Sequence, residues 1–281
     1  MWKQVLRPQA EQVFHIEVPT IDDILEITVI EPFPGAASAG KLFPTLYLLD
    51  SRLALNIVAG TKHLFDIFSG GALPLCYLIA IGYADPDIAA RRFRDYTPTK
   101  ADLPPGLSQP LTFGTGGALP YLAALCEDII PHLERQFPLD PRERVLIGYS
   151  LSGRFATYAL FSEPQTFGRY LIISPSLWWD QGSAFAEEEA WAKSNADLRA
   201  KVLLVGGEAE ETSGGGWRNN NLPDEIGLPL KQLTNMRELD RRLSTRNYPS
   251  LRIKTALIPD GRHITLFPAA IALGLVEIFA L

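Results

Sequence analysis

Short apolar runs and stretches with an apolar residue at every third or fourth position follow one another along most of this chain. Their periods predict the elements. Residues 14–18 and 24–30 alternate apolar and polar side chains, and Pro19-Thr20-Ile21-Asp22-Asp23 joins them, which predicts two antiparallel edge strands. Residues 31–41, rich in Pro, Gly, Ala and Ser, read as a loop. Residues 46–49 form a continuous apolar run stopped by Asp50, the pattern of a parallel strand buried on both faces. Helical spacing over 53–68 ends at Gly70-Gly71, and 73–81 reads as a second buried strand. Residues 118–137 are amphipathic and predict a helix. Leu139-Asp140-Pro141 reads as a turn leading into a strand at 145–148. Further strands fall at 170–174, 202–205 and 251–258, with helices at 155–161, 184–193, 230–243 and at the apolar C-terminal stretch 264–281. Two long segments, 85–117 and 208–229, carry little periodicity and read as irregular.

Two leading strands followed by regular strand–helix alternation predict an α/β fold, a mostly parallel sheet with helices on both faces. The whole of 1–281 reads as one domain, with an insertion at about 211–229 placed to cover a pocket. In such sheets ligands gather at the carboxyl ends of the strands. Asp50, Ser150, Ser174, the segment 206–211 and the segment 260–263 all fall at predicted strand ends.

Composition narrows the classes of function. The 281 residues are 47% hydrophobic and 21% charged, enough apolar material for a sizeable core. A net charge of −6 leaves no basic footprint for nucleic acid or for an anionic membrane. The stretch 264–281 is broken by Pro268 and Glu277 and reads as a buried helix, not a membrane span. Cys76 and Cys126 lie in apolar runs without metal-ligand spacing and read as buried free thiols. The N-terminus has no apolar core followed by a small-residue cleavage site, so a cytoplasmic protein is expected.

Candidate chemistry centres on Gly148-Tyr149-Ser150-Leu151-Ser152-Gly153. An apolar strand runs into a tight turn with Ser150 at its tip, and a helix begins at once. A strand-to-helix elbow presenting a nucleophile needs small residues two before and two after the serine. Gly148 meets the first requirement; Ser152 stands at the second, with Gly153 one place later. A serine hydroxyl needs an imidazole base oriented by a carboxylate. Of four histidines, His15 falls in an early strand and His63 and His132 in helices, leaving His263 at a strand end on the rim of Ser150. The acid is sought between them, in Gly206-Gly207-Glu208-Ala209-Glu210-Glu211; Glu210 is the choice, followed by Glu208 and Glu211. Oxyanion donors are expected from the Leu151 N–H and from the loop after Asp50, where Arg52 is chosen from the window Ser51, Arg52, Leu53. Arg94, Trp178 and Trp179 are tentative substrate contacts. Gly114-Thr115-Gly116-Gly117 follows no strand and has no nearby Lys, which argues against a phosphate loop.

Taken together, Tyr47-Leu48-Leu49-Asp50, Arg94-Asp95-Tyr96-Thr97-Pro98, the elbow, Ser174-Pro175-Ser176-Leu177-Trp178-Trp179-Asp180 and Gly261-Arg262-His263 give the chain a likeness to a known group. It resembles the esterase-D-like branch of the α/β-hydrolases, which includes the siderophore (enterobactin-type) esterases. The resemblance runs from about position 45 to the C-terminus. It implies an α/β-hydrolase fold, Ser150 as nucleophile, His263 as base, and hydrolysis of a small-molecule carboxylic ester without metal or organic cofactor. Ser51 stands where the family usually has Gly, and Ser152 where a second Gly is usual. The segment 211–229, with Trp217, Arg218 and Asn219-Asn220-Asn221, has no counterpart in the family pattern. Two other uses of the same fold compete: transfer of the acyl group to an alcohol or amine, and non-catalytic binding.

Overall fold

A computed structural model describes residues 11–103, 111–211 and 230–281. The eight strands are β1 (Glu11–Val18), β2 (Asp23–Ile30), β3 (Phe43–Leu48), β4 (Tyr77–Tyr83), β5 (Leu139–Tyr149), β6 (Arg169–Ile173), β7 (Lys201–Gly207) and β8 (Arg252–Ile258). They form one sheet in the order β1-β2-β4-β3-β5-β6-β7-β8. β1 and β2 pair antiparallel, β2 is antiparallel to β4, and every other neighbouring pair is parallel. The mostly parallel sheet expected from the alternation is therefore present. β1 alone of the leading pair lies at the edge, because β2 has β4 on its other side.

Alternate residues of the central strands feed two apolar layers. Tyr47, Leu146, Tyr170, Ile172, Val202 and Leu204 face the layer that holds α5 (Leu151–Ser162). Leu46, Leu48, Val145, Ile147, Leu171 and Leu203 face the opposite layer, with α1 (Ser51–Phe68) and the C-terminal helix Phe267–Ala280. This period-2 division explains the unbroken apolar runs, since both faces of each strand are covered. β3 leads through α1 to β4 on one side, whereas β5 leads through α5 to β6 on the other. The crevice between the carboxyl ends of β3 and β5 is thus a topological switch point, the place where such sheets take ligands.

Several expectations need correction. The segment 85–117 contains α2 (Ile88–Asp95), whose Ala90 and Phe93 are buried. Pro and Gly on both sides hid a stretch of eight residues with good helix formers in it. The turn read at 139–141 lies inside β5, where the partner of Phe43 is Leu139 but the partner of Thr45 is Arg144, so the extra residues form a bulge. Leu73 and Cys76 are buried, but pairing starts only at Tyr77 and continues to Tyr83. The helix expected over 118–137 is α3 (Ala118–Ala123) and α4 (Ile130–Gln136) joined by a π-helical stretch, Ala124–Ile129. Pro131 has no N–H to donate back along the helix, and the Ile130 N–H reaches Leu125 instead. Cys76 is fully enclosed, and burial pushes its thiol up to about 12, whereas Cys126 is half-buried and touches Thr166. Among the described residues no helix is long and apolar enough to cross a membrane. The expected insertion at 211–229, with Trp217, Arg218 and Asn219-Asn220-Asn221, lies outside the described residues from 212 onward.

α5 is tied to α6 (Ser183–Ser194) by a fully buried guanidinium. Arg154 donates from Nη1 to Glu187 Oε2 at 3.0 Å and from Nη2 to Ser183 Oγ at 3.0 Å, and also bonds Glu187 Oε1. Removing the carboxylate leaves the cation buried without its counter-charge. Glu187→Ala is expected to cost about 3 kcal/mol, read as a lower urea midpoint with unchanged slope. Arg142→Ala, which removes an exposed pair with Asp140, should leave the midpoint where it is.

Candidate active site

The site begins with backbone geometry at the end of β5. Ser150 adopts φ 60° and ψ −115°, a conformation that an L-residue holds only when its surroundings impose it. Its N–H donates to the Ile173 carbonyl at 3.0 Å, and its carbonyl accepts from Arg154 N–H at 2.9 Å and Ser176 N–H at 3.0 Å. A Cβ at position 148 would stand 2.3 Å from the Ser152 carbonyl oxygen, so only glycine permits the helix to turn back so tightly. A Cβ at 153 would stand 3.0 Å from Pro175 Cα and 3.1 Å from the Ile173 carbonyl oxygen. The close approach to β6 is therefore made at Gly153, which frees position 152 to carry a side chain. Ser152 Oγ accepts from Tyr149 N–H at 2.8 Å and donates to the Tyr149 carbonyl at 2.9 Å, closing the elbow on itself.

Three side chains from three strand ends meet at this turn. His263 Nε2 lies 3.0 Å from Ser150 Oγ, and His263 Nδ1 lies 2.8 Å from Glu210 Oε1. All three residues are buried: Ser150 is 4% exposed, Glu210 6% and His263 2%. Of the neighbouring carboxylates, Glu208 is exposed, and Glu211 accepts from the N–H and hydroxyl of Thr234 on α7 (Gln232–Thr245). Glu210 Oε2 accepts from Gly207 N–H at 2.9 Å. The turn bearing Glu210 and the turn bearing His263 touch through their backbones. Ala209 N–H donates to the Gly261 carbonyl at 3.0 Å, and a Cβ at 207 would stand 2.1 Å from that same oxygen. The other histidines lie elsewhere: His15 beside Glu26 on β1, His63 on α1, and His132 beside Gln136 on α4.

His263 is also gripped by Tyr149. The two rings stack at 5.1 Å with 28° between planes, the Tyr149 ring rests on Phe267 at 4.8 Å, and the Tyr149 hydroxyl donates to the His263 carbonyl. Burial, reinforced by the nearby Glu210 charge, pushes the Tyr149 phenol well above its ordinary range, so it stays a donor. Ser174, at the end of β6 with φ 40°, places its hydroxyl on Glu210 Oε1 and 3.0 Å from His263 Nδ1. Gln232 Nε2 contacts the Ser174 carbonyl at 2.5 Å, the Pro175 carbonyl at 2.8 Å and Ser174 Oγ at 3.1 Å. The sequence placed Ser174 at a strand end and in one of the segments that carry the resemblance, without a role, and gave no role to Tyr149 or Gln232. Tyr149 is the variable residue of the elbow, and Gln232 follows a long segment without periodicity.

The remaining expected residues divide. Leu151 is the first residue of α5, and Ser51 and Arg52 open α1 on the far side of the crevice. Leu53 and Ala54 N–H both donate to the Asp50 carbonyl, so of the chosen window Leu53 is already engaged. The Arg52 side chain points to solvent and donates to the Ala84 carbonyl at 3.0 Å. Arg94 is held in ion pairs: its guanidinium donates to Asp95 at 2.7 and 2.8 Å and to Asp23 at 3.0 Å. Trp179 is 0% exposed and donates from its indole to Thr99 Oγ1, a core role, while Trp178 is half-buried against the same layer. Arg92 makes a two-pronged bond to Asp50 at 2.5 and 3.0 Å. Burial opposes the Arg92 charge, but Asp50 outweighs it and raises the guanidinium above its usual value. A small pocket opens here, lined by Asp50, Ser51, Tyr83, Ile88 and Arg92. Among the described residues no group of three His, Cys, Asp or Glu is placed to hold a metal ion.

Comparison with known proteins agrees with this architecture. The chain is 27% identical over 266 residues to the ferri-bacillibactin esterase BesA of Bacillus subtilis, covering 89% of this chain and 82% of that one. It is 30% identical over 178 residues to a siderophore triacetylfusarinine C esterase of Aspergillus fumigatus, covering 60% of this chain and 57% of that one. The fold matches the crystal structure of a BES protein from Bacillus cereus with a TM-score of 0.80 at 22% identity, over 99% of both chains. It matches the siderophore hydrolase EstA of Aspergillus nidulans with the same TM-score and identity, over 99% of this chain and 97% of that one. The Esterase family model matches residues 26–250, most of the chain, and the protein belongs to that family.

Proposed function

We propose that this protein is a serine carboxylesterase that works through an acyl-enzyme on Ser150. The observation that carries the reading is the buried hydrogen-bonded series from Ser150 Oγ through His263 to Glu210. His263 Nε2 takes the hydroxyl proton as Ser150 Oγ attacks the ester carbonyl, and Glu210 holds the imidazole and stabilises its charged form. The tetrahedral oxyanion is received by the N–H groups of Leu151 and Arg52 at the starts of two helices. Loss of one such donor typically costs roughly 3 kcal/mol of transition-state stabilisation. Collapse expels the alcohol with the proton held on His263. The same nitrogen then takes a proton from water, which attacks the acyl carbon and frees the acid.

The substrate class we assign is a small-molecule ester of the siderophore type. The support is that the relatives above are named as esterases of ferri-bacillibactin and of triacetylfusarinine C. We place the protein in the cytoplasm, a setting that keeps thiols such as Cys76 and Cys126 reduced.

Incubation with a fluorophosphonate should add one phosphonyl group, mapped by mass to Ser150 and absent from Ser150→Ala; an unlabelled native protein would overturn the assignment. Glu210→Gln is expected to lower kcat about a hundredfold or more, whereas Glu208→Gln leaves it nearly unchanged. Gly207→Ala, whose Cβ would press on the Gly261 carbonyl, should separate the two turns and abolish labelling while far-ultraviolet circular dichroism stays native. A panel of ferric and iron-free siderophore esters ranked by kcat/KM, beside simple aryl esters, tests the substrate class. Preference for the simple esters would reject it.

A further inference from the structure

We propose that Ser174 and Gln232 are positioning residues that fix which nitrogen of His263 carries the proton. The inference deepens the esterase reading and rests on it. Gln232 Nε2 faces two backbone carbonyls, of Ser174 at 2.5 Å and Pro175 at 2.8 Å, and neither carbonyl can donate. The amide must therefore present its NH2 group there, and the flipped alternative would set oxygen against oxygen.

That orientation determines the rest. One of the two NH2 hydrogens is shared between a carbonyl and Ser174 Oγ at 3.1 Å, so a donor and not an acceptor faces the Ser174 hydroxyl there. The Ser174 proton is left to go to Glu210 Oε1, with which Ser174 Oγ is in short contact. Glu210 Oε1 also faces His263 Nδ1 at 2.8 Å, and Ser174 Oγ faces the same nitrogen at 3.0 Å. With the carboxylate an acceptor and the Ser174 proton committed, the hydrogen between Glu210 and His263 belongs to Nδ1. Nε2 then presents its lone pair to the Ser150 hydroxyl at 3.0 Å, the tautomer a general base requires. Gln232 and Ser174 thus orient protons from the start of α7 to the nucleophile without touching the ester.

The test uses two substitutions that remove the hydroxyl in different backbone settings. Position 174 has φ 40°, which glycine adopts more readily than any other residue, so Ser174→Gly keeps the turn while Ser174→Ala keeps the side-chain stub. Hydrolysis of a p-nitrophenyl ester is measured per active serine, counted by fluorophosphonate labelling run to completion. Both variants are expected to lose roughly tenfold in kcat with KM within about twofold, the signature of a lost interaction at the reacting groups. Gln232→Glu replaces the donor by an acceptor of the same size, and its kcat should fall at least as far. Full labelling with kcat within twofold of the unaltered protein in both Ser174 variants would overturn this inference and leave the esterase reading intact. Absence of labelling in the unaltered protein would overturn the reading itself.

Discussion

The backbone of Ser150, at φ 60° and ψ −115°, is the constraint on which the site depends. Such a conformation costs of the order of 1–3 kcal/mol and survives only where neighbouring contacts over-determine it. Here they do so from three directions. Gly148 lets the first turn of α5 pass within contact of β5, Gly153 lets it pass Pro175, and Ser152 ties both polar groups of Tyr149. The Ser150 N–H and carbonyl are themselves bonded to Ile173, Arg154 and Ser176. The hydroxymethyl group at position 152, a departure from the usual glycine, replaces space by hydrogen bonds at the same corner.

Around that corner the parallel sheet acts as an alignment device. β5, β6, β7 and β8 are consecutive neighbours in register, so their carboxyl ends deliver Ser150, Ser174, Glu210 and His263 to one rim. The turns after β7 and β8 are locked together by the Ala209–Gly261 bond and by the absence of a side chain at Gly207. On the other side of β5, the change of winding direction opens a crevice flanked by the starts of α1 and α5. Helix starts carry unpaired N–H groups and positive partial charge, which suits an anionic group.

Burying a carboxylate this deeply is tolerable only if its lone pairs are satisfied. Glu210 meets Gly207 N–H, the Ser174 hydroxyl and His263 Nδ1, and the Ser174 hydroxyl is in turn backed by Gln232. The same logic governs the Asp50–Arg92 pair at the neighbouring strand end and the Arg154–Glu187 pair between α5 and α6. In both pairs the buried charge sits beside its counter-charge and holds two chain segments in register.

The sequence by itself determined the alternation of strands and helices, the buried character of the central strands and the elbow at Ser150. These are local properties, written in period, glycine placement and turn chemistry. It also isolated His263, since only that histidine follows a strand near the rim. It left α2 unread, because flanking prolines and glycines mask a single buried face, and it left three carboxylates in competition after β7. Only the tertiary structure separated Glu210 from Glu208 and Glu211, engaged Arg94 with Asp95 and Asp23, and enclosed Trp179 in the core. Which side chain meets which across a fold depends on turn direction and register between segments distant in the chain. No local pattern encodes that, and it is why Ser174 and Gln232 became visible only once β6, β7 and α7 had been brought together.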